Sequence, residues 1–327
     1  MSGPRIGIVG ARRVRQGLGP FVARELAAAG LAVPCFLVTR AEHVDLAARE
    51  LREWAGLQPR GYASLDEMLG REQLDALAIL SPSESHEGYL AIAAEAGLHV
   101  LCEKPLLWGG SQLLQRAHQR IEALRRRGLL LVENCQWPQV LESYRALFPA
   151  APRVPRRFAM HLAPSSRGRQ ILGDCLPHPL SLLQALVPQG RVEAAEVGAS
   201  PDGSRVEVRF DFVAGSHRIR SALDLRQGHG VPRSAWLELD GLRAQRRIRL
   251  PGYRMSLADG RRSVPLPDPL ACHLRAFARQ LQAVCGGTAA PDPEPLARRM
   301  AMLETLLVAY DRLERGGVFA PAQGGES

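Results

Sequence analysis

Residues 78–106 read AILSPSESHEGYLAIAAEAGLHVLCEKPL, and this stretch decides the fold. An apolar run ends at Ser81-Pro82, where proline closes a strand. Residues 86–97 carry apolar side chains at helical spacing and stop at Gly97, the usual residue past a helix end. A second apolar run, 99–102, leads straight into Glu103-Lys104-Pro105. Strand, helix and strand in so short a span predict a parallel crossover unit. Working outward, apolar runs recur at 5–10, 32–39 and 129–133, with helical patterns at 18–30, 41–55 and 110–127 and a short capped segment at 64–69. Near-continuous apolar strands alternating with helices predict an α/β domain, a doubly wound parallel sheet with helices on both faces.

The pattern changes after about residue 150. PAAPRVPRR reads as a linker or an edge entry. Six segments then alternate with period two, at 157–162, 192–197, 204–213, 217–225, 235–239 and 246–250, with one helical stretch at 175–186. This predicts an α+β domain built on a large mixed or antiparallel sheet. The expected organisation is a dinucleotide-binding domain over 1–150 and a substrate-binding and oligomerisation domain over 151–290. A C-terminal helix, about 291–316, is expected to pack back on the first domain. The tail FAPAQGGES reads as disordered.

The bulk composition narrows the function. With 327 residues and 46 % hydrophobic side chains the chain can bury two cores. The net charge of +9 comes from scattered arginines, many beside Asp or Glu, with no basic stripe interleaved with aromatics. That argues against nucleic acid as a partner. The six cysteines form no CxxC pair and no Cys/His cluster with metal spacing, so no metal site is expected and they read as buried thiols of a reducing compartment. No leader and no apolar run long enough for a membrane span is visible, which predicts a cytoplasmic protein without membrane association.

Two features carry chemistry. The first is Lys104, the only lysine among 42 basic residues. Arginine stays protonated at any useful pH, whereas a lysine ammonium can be tuned to give and take a proton. The second is the turn after the first strand, beginning Gly10-Ala11-Arg12-Arg13 and reaching Gly17 and Gly19. A strand that ends in glycine and opens a helix suits a pyrophosphate, although Arg12 stands where a strict fingerprint has its second glycine. The same segment also fits an ordinary strand–loop–helix. The second strand ends in Thr39-Arg40 with no acid to bind ribose hydroxyls. A hydroxyl and a guanidinium there, with Arg12 and Arg13 nearby, suit a 2′-phosphate, so NADP(H) is preferred over NAD(H).

The stretch from Ala78 to Leu106 resembles the Gfo/Idh/MocA family of nicotinamide-dependent oxidoreductases. That family has a Thr-Pro-Asn-x-x-His loop after one strand and Glu-Lys-Pro after the next. Here Ser81-Pro82-Ser83-Glu84-Ser85-His86 and Glu103-Lys104-Pro105 stand in those places. The likeness continues to Gly173-Asp174-Cys175-Leu176-Pro177-His178, where the family carries Asp-x-Gly-x-His on a helix; Leu176 replaces its glycine. The resemblance implies a Rossmann domain followed by the α+β domain. It also implies hydride transfer between nicotinamide and a C–O or C–N carbon of a small polar substrate, such as a sugar, cyclitol, keto or imine compound. Lys104 and His178 would move the proton and Asp174 would support them. Ser81, Pro82, His86 and Glu103 would line the cofactor side, with Gly10, Arg12, Arg13, Thr39 and Arg40. Gln136, Trp137, His161 and Arg167 are candidates for the substrate. Two other functions stay open: a nucleotide-sensing regulatory protein on this fold, and an enzyme that recycles its nicotinamide to drive elimination or hydrolysis. A homo-oligomer, dimer or tetramer, is expected, because a sheet face without helix cover leaves apolar surface to bury.

Overall fold

The structure, a computed structural model, describes residues 3–13 and 17–316. The C-terminal stretch read as disordered lies outside them. Contacts divide the chain into two compact units, 1–134 with 270–297 and 135–269 with 298–327.

The first unit holds β1 (Arg5–Val9), α1 (Gly19–Ala28), β2 (Ala32–Leu37), α2 (Val44–Ala55), β3 (Arg60–Tyr62), α3 (Leu65–Arg71), β4 (Ala76–Ile79), α4 (His86–Ala96), β5 (His99–Cys102), α5 (Leu113–Arg126) and β6 (Leu131–Glu133). The strands form one six-stranded sheet in the order β3-β2-β1-β4-β5-β6, and every pairing is parallel. This is the doubly wound sheet that the sequence predicts. Its order reverses between β1 and β4, the place where such sheets open a crevice for a ligand. Strand β4 is buried along its whole length, so its apolar run needs no polar alternation.

The boundary falls at Asn134, before the one expected near 150. The segment that returns to the first unit is α9 (Pro269–Cys285), ahead of the helix expected to do so. Its Leu270, Leu274, Phe277 and Leu281 form one stripe at helical spacing. They join Ile6, Ile8, Val22 and Leu26 in a single apolar cluster. The last helix, α10 (Glu294–Gly316), belongs to the second unit from Arg298 onward. There Arg299 donates to Gln184 at 2.8 Å, and Asp311 pairs with Arg169 at 2.8 Å.

The second unit contains α6 (Leu141–Leu147), β7 (Arg157–Leu162), α7 (Arg169–Cys175), α8 (Pro177–Leu186), β8 (Arg191–Ala199), β9 (Arg205–Ala214), β10 (His217–Arg226), β11 (Ala235–Leu239), β12 (Leu242–Arg249), β13 (Arg254–Ala258) and β14 (Ser263–Leu266). Its eight strands run β14-β13-β12-β11-β7-β10-β9-β8. Only β7 and β10 pair in parallel, so the sheet is mixed. Alternation sorts the side chains cleanly. Phe158, Met160, Val208, Phe210, Leu223 and Leu237 are buried on one face. The other face carries charged pairs such as Arg218–Asp211 and Arg243–Glu238. The uncovered face is therefore charged, and the apolar argument for self-association does not hold on it.

Among the described residues no helix is long and apolar enough to cross a membrane, and no group of three His, Cys, Asp or Glu side chains could hold a metal ion. All six cysteines are free. Four are buried as expected, but Cys272 is half-buried and Cys285 exposed.

Candidate functional site

At the carboxyl end of the parallel sheet, two glycines let backbone segments meet. Gly10 has φ +86°, and a Cβ there would lie 2.7 Å from the Ser81 nitrogen. Its own N–H donates to the Leu37 carbonyl at 3.1 Å, which ties the loop after β1 to the end of β2. Gly19, the first residue of α1, has no room for a side chain: a Cβ would lie 2.5 Å from the Ala11 carbonyl. Gly19 thus performs the close helix–loop packing of a dinucleotide fold even though the fingerprint is irregular.

The four polar candidates on this edge differ. The Arg13 backbone N–H donates to Glu50 at 2.9 Å, and its guanidinium lies 4.8 Å from both the Phe21 and Trp54 rings. That side chain is already engaged. Thr39 and Arg40 are exposed at the end of β2, with Glu42 at 3.9 Å from Arg40. Arg12 is half-buried, and its enclosed Nε has no hydrogen-bond partner among the described residues. An orphaned guanidinium N–H on the loop that faces a nucleotide phosphate in this fold is a site an anion would complete. The residues present fit a dinucleotide.

The turn that presents Lys104 is braced from several sides. The Lys104–Pro105 bond is cis. Glu133, 4 % exposed, accepts the Leu106 N–H at 2.9 Å. Asn134 donates its amide to Glu103, and its own N–H reaches the Cys102 carbonyl at 2.7 Å. Burial pushes the Glu103 carboxyl up from its ordinary value, against the opposing pull of Lys104 and the bond from Asn134. Lys104 itself is half-buried. Beside this turn, Ser81 and Ser85 share a 2.6 Å hydroxyl bond, and Ser85 donates to the Pro82 carbonyl at 2.7 Å.

His86 has a different role from the cofactor contact expected of it. Only 1 % of it is exposed. One ring nitrogen faces the Ser81 carbonyl at 2.8 Å, and the other faces those of Pro105 at 3.0 Å and Leu106 at 3.2 Å. Both nitrogens are occupied by backbone, so His86 clamps the two loops together and cannot also reach a ligand with a polar atom. Glu133 and Asn134 join it as residues whose structural part the motif reading did not assign. Their position at the carboxyl end of β6 was the available signal.

In the second unit, Asp174 and His178 fall on either side of a helix joint. α7 ends at Cys175 and α8 begins at Pro177, yet Leu176 between them keeps helical dihedrals of −58° and −35°. Proline at the first position lacks an N–H, which interrupts the ladder without turning the chain. Both residues are half-buried, and Asp174 accepts from Gln170 at 3.2 Å. Trp137, 3 % exposed, sets its ring 6.4 Å from that of His178. Gln136 precedes it, half-buried. Ser181 turns back to the His178 carbonyl at 2.8 Å.

His161 does not join this group. Strand parity puts it on the charged face, opposite Phe158, Met160 and Leu162. There it stacks on Trp236 with centroids 6.0 Å apart and bonds Asp224 at 3.1 Å. Burial acts to raise the Asp224 carboxyl, but bonds from His161 and Arg226 outweigh it and hold the group well below the usual carboxylate range. Arg167 is exposed and donates to Gln227 at 2.6 Å. Both read as structural.

Comparison with known proteins agrees with this geometry. Residues 5–134 match the family model described as "Oxidoreductase family, NAD-binding Rossmann fold", so this region is similar to the Gfo/Idh/MocA family. Inositol 2-dehydrogenase of Leifsonia xyli is 45 % identical over 56 residues, 17 % of this chain and 16 % of the relative. The chain spans a quarter or less of the length of the curated relatives it matches. Solved structures extend the likeness in fold alone. UDP-N-acetylglucosamine 3-dehydrogenase GnnA from Acidithiobacillus ferrooxidans is 21 % identical with a TM-score of 0.69, over 94 % of this chain and 98 % of that one. KijD10, a 3-ketoreductase from Actinomadura kijaniata solved with NADP and TDP-benzene, is 21 % identical with a TM-score of 0.67, over 94 % and 98 %.

Proposed function

We propose that the protein is an NADP(H)-dependent oxidoreductase acting on a carbon that bears oxygen or nitrogen in a small sugar-like or cyclitol-like substrate. The observation that carries this is the braced Glu103-Lys104-Pro105 turn at the carboxyl edge of a doubly wound sheet. Bound nicotinamide would supply the hydride acceptor or donor. Arg12, Thr39 and Arg40 would hold the phosphate and ribose at the adenosine end, and α1 would offer its N-terminal N–H groups to the pyrophosphate. Lys104 would hold or release the proton at Nζ while His178 does so at its imidazole, oriented by Asp174. The names of the sugar and inositol dehydrogenases above support this substrate class. KijD10 with NADP, and a D-xylose 1-dehydrogenase (NADP(+)) among the relatives, support the cofactor choice.

Nicotinamide fluorescence tests the reading directly. NADPH is expected to bind at micromolar levels and more tightly than NADH, with Arg12→Ala narrowing the gap. Absence of binding by either nucleotide would sink the proposal. Binding without turnover on any polyol, sugar or imine would favour a nucleotide-sensing regulator instead. Self-association is part of the proposal, and light scattering showing a monomer would remove it.

A further inference from the structure

The core face of the second sheet has one irregularity. Along β12, Leu242, Ala244, Arg246 and Ile248 share that face, so a guanidinium stands where the pattern calls for an apolar side chain. Its cross-strand neighbours are apolar: Arg246 pairs in register with Leu257, 1 % exposed. Across the other edge the register places it beside Ala235, which is fully buried. No carboxylate pairs with Arg246 among the described residues; one Nη donates to the Arg233 carbonyl at 3.0 Å. Its Nε is enclosed and has no hydrogen-bond partner among the described residues. Burial lowers the guanidinium from its ordinary value. A desolvated cation without a counter-charge is costly, and nothing in the fold of this unit requires one.

The position of this cation explains it. Its guanidinium lies 5.5 Å from the centroid of the Trp137 ring, within cation–π range. On the same indole, the His178 ring lies at 6.4 Å. The Trp137 ring is therefore a shared neighbour of the proposed proton-transfer imidazole and of a cation without a counter-charge. The indole contact holds the guanidinium in place, and its unbonded Nε–H is a donor that an oxygen of a bound group would complete.

We infer that Arg246 is a specificity residue that binds an oxyanion of the substrate, a carboxylate or a phosphate, while the buried Trp137 ring holds this guanidinium and the His178 imidazole in one cluster. This rests on the oxidoreductase reading above and narrows it from polar to anionic sugars. It also displaces the solvent-exposed Arg167 as the residue for that task.

Calorimetric titration of the full chain with D-glucose, D-glucuronate and D-glucose 6-phosphate at constant ionic strength tests it, with and without saturating NADPH. Wild type is expected to bind one of the two anionic sugars about 10- to 100-fold more tightly than glucose, the range of a charge-assisted bond. Which of the two it prefers distinguishes carboxylate from phosphate. Arg246→Gln should abolish the preference with its melting temperature kept, while Arg246→Lys should keep part of it. Equal binding of glucose and both anions, or binding of none of them, would overturn the assignment, as would a preference that survives in Arg246→Gln. If Arg246→Gln does not fold, wild-type selectivity and the Lys variant decide. The nucleotide titration fails separately: a chain that selects anionic sugars but binds no nicotinamide keeps the Arg246 site and loses the oxidoreductase reading.

Discussion

Replacing His86 with alanine should loosen the Lys104 turn without touching a ligand. The imidazole faces the carbonyls of Ser81, Pro105 and Leu106 at 2.8, 3.0 and 3.2 Å. All three partners are acceptors and a neutral imidazole carries one N–H, so one donated bond is lost. A buried acceptor left without a donor costs ~1–3 kcal/mol before any cavity term. Because the chain has two units, a global unfolding curve would blur this loss. Hydrogen exchange followed by mass spectrometry resolves it locally. Peptides covering 80–86 and 103–107 should exchange faster in His86→Ala, while those of β9 and β10 stay at wild-type rates. Nicotinamide affinity should change less than turnover, since the clamp acts on Lys104 and not on the phosphate loop. A local change below about 0.5 kcal/mol would refute the clamp. So would a loss of nucleotide affinity as large as the loss of turnover, which would return His86 to the cofactor site.

Three further outcomes are expected. Lys104→Arg keeps the charge and removes the titrating amine, so turnover should fall by at least about 100-fold while NADPH still binds by fluorescence. Alkylation at pH 8 should label Cys285 first, because it alone is exposed. Cys35, whose thiol burial first and Glu72 second push up to about 12, should react only after unfolding; mass mapping reads the order. Asp224 is held below the usual carboxylate range, so it contributes stability above its unfolded value near pH 4 that is lost as pH falls toward its folded value. Chemical denaturation from about pH 5 down to pH 3 should therefore show a steeper stability loss in wild type than in Asp224→Asn.

Much of this was legible in the sequence. The parallel sheet announced itself because its strands are buried on both faces and carry no polar interruption, as in ALAI of β4. The short strand RGY of β3 stayed hidden, since three residues carry no period. β13 and β14 escaped because MSLA and SVPL are short and proline argues against a ladder. The site was legible only where it is contiguous. Glu103-Lys104-Pro105 could be read directly, whereas the engagement of His86 by Pro105 depends on two loops meeting in space. The placement of His161, and that of Arg246, which had not been singled out, could be read from strand parity. In RFAMHL, His161 shares parity with Arg157 and not with Phe158 and Met160, so it had to leave the core face. By the same parity, Arg246 had to enter it.

The first unit takes its last core element from a segment that follows the whole second sheet. α9 fills the same cluster as Ile6 and Ile8, yet nearly the entire second unit is synthesised before it. During translation the parallel sheet emerges first but waits with an open apolar flank until residue 281 has left the ribosome. The nascent chain therefore presents a sticky, half-finished nucleotide domain throughout synthesis of the mixed sheet, a natural substrate for chaperones. A fragment cut at Asn134 would stay in that condition permanently.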